Sequence, residues 1–243
     1  MKLIRQLLIL TFCLGVFLPN LAVAQSSIGF NIGMASHEGD LNKFGEADMD
    51  IWSSAGLSFG FYGKKSLGDF FNVGLAYQFA RFTGDDSDFG EGSGFASRNF
   101  SFDNSMHEVT LKADLEPFKS WKVSPFLSAG AGVAFNNPGT IFDISNKSDE
   151  QIARISQDET EVPSVILAIP VGVGFNFNLT EKLAINSEFA MRLPISDYLD
   201  GVSVSAKSEY NDYYGSGVIG LTYTFGNAKT TEATLPAVKD EEL

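Results

Sequence analysis

Two side chains in the sequence have the types and spacing of a hydrolytic site. Ser105 lies two residues before His107, so both would leave the same face of a β-strand. A serine beside a histidine can become an activated nucleophile, provided that a carboxylate orients the histidine. Strand alternation around the pair places no carboxylate there, although a loop could supply one. We therefore interpret His107 as an ordinary histidine at the membrane interface, and we predict no catalytic residue.

The densest acidic cluster has the ligand type that Ca²⁺ prefers. It comprises Asp85, Asp86, Asp88 and Glu91. Calcium takes six to eight oxygens in a defined loop, and this cluster lacks the order of an EF-hand. The G-x-G at 130–132 is not followed by a helical pattern, so it does not indicate a dinucleotide loop. We predict a solvated acidic loop, no metal site and no cofactor.

The first 24 residues have the three parts of a secretory signal peptide. Lys2 and Arg5 give a positive start, and residues 7–18 are mostly apolar. This run is too short to span a bilayer, which makes an N-terminal anchor helix the weaker alternative. Ala22-Val23-Ala24 provides an A-x-A cleavage site, so the exported chain is predicted to start at Gln25.

Composition narrows the class of the exported chain. The formal net charge is −13, and it becomes −15 when Lys2 and Arg5 are removed with the signal peptide. So acidic a chain is unsuited to binding nucleic acid. The only cysteine, Cys13, lies inside the apolar run, so no lipid anchor and no disulfide are expected. The 22 Phe and 24 Gly favour strands, and no later stretch has the length of a membrane helix.

Strict alternation of large apolar residues with small or polar ones occurs eight times. The segments are 28–34, 57–62, 71–80, 108–115, 127–135, 165–177, 183–192 and 217–225. A soluble sandwich, the alternative, would place its large residues inside and its charges outside. Here the second face is rich in Gly, Ala, Ser and Asn, which suits the crowded interior of a narrow barrel whose large residues face lipid.

The gaps between the segments alternate between long and short, as in outer-membrane barrels. The sequence thus predicts an all-β fold, an eight-stranded antiparallel transmembrane β-barrel with four long outer loops and short periplasmic turns. Its domains would be a signal peptide over 1–24, the barrel over 25–225 and an acidic disordered periplasmic tail over 226–243. Both termini would then lie in the periplasm, and no sheet edge would face lipid.

Aromatic residues at the segment ends predict two girdles at the membrane boundaries. The periplasmic girdle would contain Phe70, Phe71, Trp121 and Phe126, and the outer one Phe79, Phe82 and Phe135.

Five charged residues on the small-residue face predict a network across the lumen. Glu108, Lys112 and Asp114 lie on the fourth segment, and Glu188 and Arg192 on the seventh. Because these strands run in opposite directions, we expect Glu108 at the height of Arg192, with the other three nearer the middle and lower half. An unpaired charge in so narrow a space is costly, which favours pairing.

Four stretches resemble a family of uncharacterised outer-membrane β-barrel proteins of Bacteroidota. They are 39–42 (G-D-L-N), 100–115 (F-S-F-D-N-S-M-H-E-V-T-L-K-A-D-L), 125–130 with 135–138 (P-F-L-S-A-G and F-N-N-P), and 197–203 (D-Y-L-D-G-V-S). The last is the most specific. The resemblance implies an OmpA-like transmembrane barrel in the cell outer membrane and no particular activity.

The leading hypothesis for function is a non-enzymatic outer-membrane barrel with a structural or surface-interaction role and a lumen plugged by side chains. One alternative is a small-solute channel of the porin type. Another is a lipid A-modifying hydrolase, since outward His107 with Ser105 is similar to eight-stranded lipid A deacylases. The predicted partners are outer-membrane lipid, lipopolysaccharide and the insertion machinery that reads Gly217–Phe225. A monomer without nucleic acid is expected, and no extracellular ligand is identified.

Overall fold

The computed structural model describes residues 25–38, 55–86, 98–145, 147–196, 198–205 and 212–226. Its nine strands and one helix follow in chain order. They are β1 Ser26–Glu38, β2 Ala55–Leu67, β3 Phe71–Asp85, β4 Ser101–Leu115, β5 Val123–Phe135, β6 Pro138–Ile141, α1 Asp149–Glu161, β7 Val165–Asn178, β8 Leu183–Pro194 and β9 Tyr213–Phe225. The predicted signal peptide, and the tail beyond Gly226, lie outside the described residues.

Eight of these strands form a closed antiparallel barrel. The order around the wall is β3-β2-β1-β9-β8-β7-β5-β4, and β4 pairs again with β3. The closing register joins Phe71 to Leu115 and continues to Asp85 and Ser101. All eight predicted strands are therefore confirmed. The short strand β6 pairs only with the first residues of β4, beyond the wall.

The two ends of the barrel differ in their connections. Short connections join β2 to β3, β4 to β5 and β7 to β8, and Gln25 and Gly226 lie at this same end. We call it the turn end, and the opposite end the loop end. Gly68 has a φ of +77° in the first turn, a conformation that side chains other than glycine rarely adopt. Among the described residues, no helix is both long and apolar enough to cross a bilayer.

Exposure along the wall follows the predicted alternation. Outward Leu111, Leu127 and Phe189 are exposed by 56%, 58% and 60%, whereas inward Ser58 and Ala168 are at most 2% exposed. The wall thus has an apolar outer surface around a small and polar interior. This distribution is inverted relative to a soluble protein.

Several strands extend further than the sequence pattern indicated. Residues predicted as gaps include Lys64 in β2, Asp85 in β3, Ser101 in β4 and Tyr214 in β9. The ladders continue through these positions because a backbone register does not require an apolar side chain at every second residue. The segment 136–164, which the sequence predicts as a loop, also contains helix α1. This helix begins with a capping box between Ser148 and Gln151.

The prediction of the aromatic girdles is wrong for two residues. Phe82 is fully buried and Phe126 is 3% exposed, so both point into the barrel. Phe82 has the parity of inward Gln78 and Ala80, and Phe126 that of inward Ser128. Strand parity, rather than closeness to a strand end, decides which way an aromatic ring points.

Two of the predicted acidic loop residues also differ from the expectation. Asp85 ends β3, while Asp86 is fully buried and accepts two hydrogen bonds from Arg98, at 2.8 and 2.7 Å. Asp88 and Glu91 lie outside the described residues. No group of three potential ligands that could hold a metal occurs within the part of the chain that the structure describes.

Candidate functional site: the filled interior of the barrel

The inward side of β4 passes through the whole interior from the loop end to the turn end. Its residues are Phe102, Asn104, Met106, Glu108, Thr110, Lys112 and Asp114, and Glu116 follows in the adjoining turn. The first part of this series is largely apolar and the second is charged. The interior therefore consists of an apolar plug, a charged layer and a polar mouth, in that order.

Glu108 and Arg192 form the upper part of the charged layer. Arg192 Nε lies 3.5 Å from Glu108 Oε2, and the two side chains are 7% and 5% exposed. The hydroxyl of Tyr214 donates to Glu108 Oε2, and Thr110 Oγ1 donates to Oε1 at 2.7 Å. Arg192 also donates to Ser216 Oγ and lies 5.3 Å from the centre of the Tyr214 ring. Each charge is thus held by its counterpart and by hydroxyl groups.

Lys112 and Glu188 pair one step closer to the turn end. Lys112 Nζ donates to both carboxylate oxygens of Glu188, at 2.5 and 2.6 Å, and Ser128 Oγ donates to Glu188 Oε1 at 2.7 Å. Asp114 Oδ1 lies 3.8 Å from the same ammonium group. The structure therefore brings all five residues of the sequence-derived network into the interior.

Asp114 has a closer partner that the sequence reasoning missed. Lys64 Nζ lies 2.6 Å from Asp114 Oδ2 and 4.4 Å from the centre of the Tyr62 ring. Tyr62 in turn shares a 2.6 Å hydrogen bond with Thr222. The alternation predicts Lys64 in the turn between the second and third segments. Lys64 nevertheless has the parity of inward Ser58 and Gly60, and this parity could have indicated that its side chain points into the barrel.

The charged layer leaves almost no free space. Three cations face three carboxylates, so their formal charges cancel. The void among them has a volume of about 30 Å³, which is room for one or two water molecules. This part of the barrel can exclude solutes and contains no arrangement of nucleophile, base and acid.

The apolar plug fills the loop end. Phe82, Phe102, Met106 and Ile166 point inward from the strands and are buried against one another. His37 is fully buried between two of these rings, with ring centres 5.2 Å from Phe82 and 4.6 Å from Phe102. This part of the interior has the composition of a soluble protein core.

A segment of the last long loop completes the plug from above. Leu199 and Val202 are fully buried in it. Asn104 Nδ2 donates to the Leu199 carbonyl at 2.6 Å, Asn136 Nδ2 to that of Tyr198 at 2.8 Å, and Thr140 Oγ1 to that of Asp200 at 2.6 Å. These residues belong to the D-Y-L-D-G-V-S stretch, whose Asp197 lies outside the described residues. We call residues 198–205 the lid.

Helix α1 holds the far side of the lid. Ile155 enters the plug, and Asp158 is fully buried. The Asp158 carboxylate accepts hydrogen bonds from the Val204 and Ser205 backbone amides, at 2.8 and 2.9 Å, and from the Ser205 hydroxyl. A buried carboxylate that accepts three hydrogen bonds fixes the lid to the helix.

The outward pair His107 and Ser105 lacks the third member of a hydrolytic triad. Tyr77 Oη lies 2.7 Å from His107 Nδ1, and the Phe79 ring centre lies 5.2 Å from that of His107. Contrary to the sequence-based expectation, β4 also carries an acid at the parity of this pair, Asp103, but Asp103 binds Arg81 through two hydrogen bonds of 2.9 and 2.5 Å. Within the described residues, a phenol rather than a carboxylate therefore orients the imidazole.

The turn end holds a cavity with a volume of about 380 Å³. Glu116 lies in its wall, 8% exposed, and accepts hydrogen bonds from Asn72 at 3.1 Å and Asn176 at 2.8 Å. Lys119 Nζ donates to Ser66 Oγ at 2.7 Å and to the Phe71 carbonyl at 3.2 Å. Partial burial lowers the pKa of Lys119, and the nearby carboxylates, above all Glu116, act against that decrease.

The sequence matches the family described as "Domain of unknown function (DUF6089)" over residues 5–232. The chain belongs to this family. No curated protein matches it. The description of this family names no activity.

Similar solved structures are outer-membrane proteins. Neisserial surface protein A is 12% identical, with 82% of this chain and 97% of that chain covered and a TM-score of 0.49. A major outer membrane protein from Thermus thermophilus is 13% identical, with coverages of 82% and 99% and a TM-score of 0.46. The attachment invasion locus protein of Yersinia pestis is 14% identical, with coverages of 83% and 99% and a TM-score of 0.42.

Proposed function

We propose that the protein is a monomeric outer-membrane barrel with a plugged lumen, which serves a structural or surface-interaction role without enzymatic activity. The observation that carries the proposal is the filled interior: an apolar plug, then three ion pairs around a void of about 30 Å³. An eight-stranded barrel has an interior that side chains can just fill. A continuous solute path would have to break these ion pairs and displace the lid.

The apolar outer wall supports the location. Exposed Leu, Phe, Ile and Val side chains surround the barrel, and a soluble monomer rarely exposes so large an apolar surface. Together with the predicted signal peptide, the wall favours insertion in an outer membrane by machinery that reads Gly217–Phe225. Outer-membrane lipid and lipopolysaccharide are then the proposed neighbours of the wall. An origin in Bacteroidota remains a prediction.

The location is tested by cell fractionation and by gel migration with and without boiling. We expect the protein in the outer-membrane fraction, starting at Gln25, and faster migration of the unboiled sample. Recovery from the soluble periplasmic fraction without a heat shift would contradict the proposal.

The plugged lumen is tested by single-channel recording in planar bilayers. We expect no steady open conductance from the unmodified protein. A persistent conductance would favour the small-solute channel instead. For the hydrolase alternative, incubation with lipopolysaccharide followed by mass spectrometry should leave the lipid unchanged, because a tyrosine rather than an acid contacts His107.

A further inference from the structure

Among the described residues, the interior is open to a small molecule at the turn end and filled at the loop end. The lid and the apolar plug fill the loop end, and the charged layer below them leaves a void of about 30 Å³. The cavity of about 380 Å³ lies on the other side of this layer. Ligand pockets have volumes of about 300–1,000 Å³, so this cavity has room for a ligand of one or two sugar rings.

Nearly all the residues that line the cavity have polar side chains. Within the described part of the chain they carry amides, hydroxyls and four charged groups, and Ala184 is the only apolar residue among them. An apolar ligand would leave these groups without hydrogen-bond partners, which is costly. The chemistry of the wall therefore favours a ligand with many hydroxyl or amide groups.

The charges in the wall cancel. The two cations, Lys64 and Lys119, are equal in number to the two carboxylates, Glu116 and Glu181. Lys64 also forms an ion pair with Asp114. Neutral amides hold the Glu116 carboxylate, and neutral oxygens hold the Lys119 ammonium group. A strongly anionic or cationic ligand would gain little here, whereas a neutral ligand meets both strong donors and strong acceptors.

The groups that would contact the ligand are already held in place. Asn72 of β3 and Asn176 of β7 both donate to Glu116, and Ser66 joins Lys119 to Asn72 through hydrogen bonds of 2.7 and 3.1 Å. Asn176 pairs in register with Ser124 and Asn186. The two backbone ladders thus fix the position of Asn176 in the cavity wall.

From these observations we infer that the turn-end cavity is a binding site for a neutral saccharide. Glu116 and the asparagines around it accept and donate to adjacent sugar hydroxyls, and Lys119 donates at the rim. The inference goes beyond the proposed plugged barrel, and its failure would leave that proposal intact, since a barrel without sugar affinity is still plugged.

Isothermal titration calorimetry of the detergent-purified barrel with N,N′-diacetylchitobiose tests the inference. We expect saturable binding with a dissociation constant of about 1 mM or below, and binding of glucose 6-phosphate at least about tenfold weaker. Absence of heat from the disaccharide at tens of millimolar, or equal binding of the phosphate ester, would overturn the neutral-saccharide site.

Two variants locate the binding. Ser120 is an exposed turn residue in the cavity wall, so Ser120→Phe fills the mouth without entering a strand. We expect it to weaken binding at least tenfold, and Glu116→Gln to weaken it as well. The matched control is Ser156→Phe on the exposed face of helix α1, with unchanged affinity expected. Unchanged binding in a folded Ser120→Phe barrel would overturn the assignment to this cavity.

Discussion

At the loop end, the inward positions of β3 and β4 hold Phe82, Phe102 and Met106, whereas the turn-end position of β3 holds Asn72 and Glu116 follows β4. The same two strands thus supply a dry core at one end and a polar cavity at the other. The charged layer lies between them and touches both. In so small a barrel, the identity of the inward residues decides whether an end is sealed or open.

The largest effect is expected where the two regions meet. Arg192→Met should leave the buried carboxylate of Glu108 without its cation and destabilise the barrel by about 3–5 kcal/mol. The double variant with Glu108→Gln should lose less than the single one, because neither charge of this pair then remains. Urea titrations of folding into lipid vesicles measure both free energies.

The outward pair of Arg81 and Asp103 provides the matched control. Its side chains are 55% and 48% exposed, so Arg81→Met should destabilise the barrel far less than Arg192→Met. If the free-energy changes of Glu108→Gln and Arg192→Met simply add, the two side chains do not act as a pair.

A second comparison removes one apolar side chain from each end. Leu199→Ala should destabilise the lid by about 2–5 kcal/mol, because the side chain is fully buried in the plug. Leu179→Ala, at an exposed turn-end position, should change stability by less than about 0.5 kcal/mol. Hydrogen exchange of residues 198–205 reports the local effect, and equal protection in both variants would show that the lid does not depend on the plug.

A third comparison uses the outer wall that both ends share. Leu111→Arg and Val171→Arg place a charge on the outward face and should each cost about 2–4 kcal/mol in a bilayer. Ala168→Ser, on the inward face, should cost much less. Folding titrations in lipid compare the three, and equal stability would contradict the assignment of inside and outside.

The smallest effect concerns a loop-end carboxylate. The Asn99 side-chain amide donates to Asp143 at 2.9 Å, and with the Ser145 backbone amide it lowers the pKa of Asp143 from its usual 3.8 to about 2. The folded pKa is depressed, so this contribution to stability is present above pH 4 and disappears as the pH falls through about 2. NMR titration of the carboxyl carbon should show the low pKa and its increase in Asn99→Ala. An unchanged value in that variant would assign the shift to other groups.

The fold was predictable from the sequence because strand alternation is a local property. Leu111 and Ala168 show the correct parity, and all eight wall strands occur where the alternation places them. Two of the charge contacts, Glu108 with Arg192 and Lys112 with Glu188, also follow from parity and antiparallel direction. Where a glycine or a charged residue takes the place of a large apolar one, as at Gly63 and Lys65, the pattern ends before the strand does.

The plug and the cavity were not predictable in the same way. Leu199 and Val202 lie in a long loop, and their burial depends on contacts with Asn104, Asn136 and helix α1, far away in the sequence. No periodicity marks such contacts. The sequence does contain a signal for the helix, a serine followed three residues later by glutamine, but strand alternation does not detect it.

The position of the lid in the chain has a consequence for how the molecule assembles. Residues 198–205 immediately precede β9, the strand that joins β8 to β1 and completes the wall. Tyr214, near the start of β9, also belongs to the plug and donates to Glu108 of β4. The first seven wall strands therefore form a sheet whose interior has neither a cover nor its final partners. Pairing of β9 with β1 both closes the wall and brings the lid over its outer opening. These two steps should therefore appear as one kinetic event, in which the contacts of highest sequence separation form last.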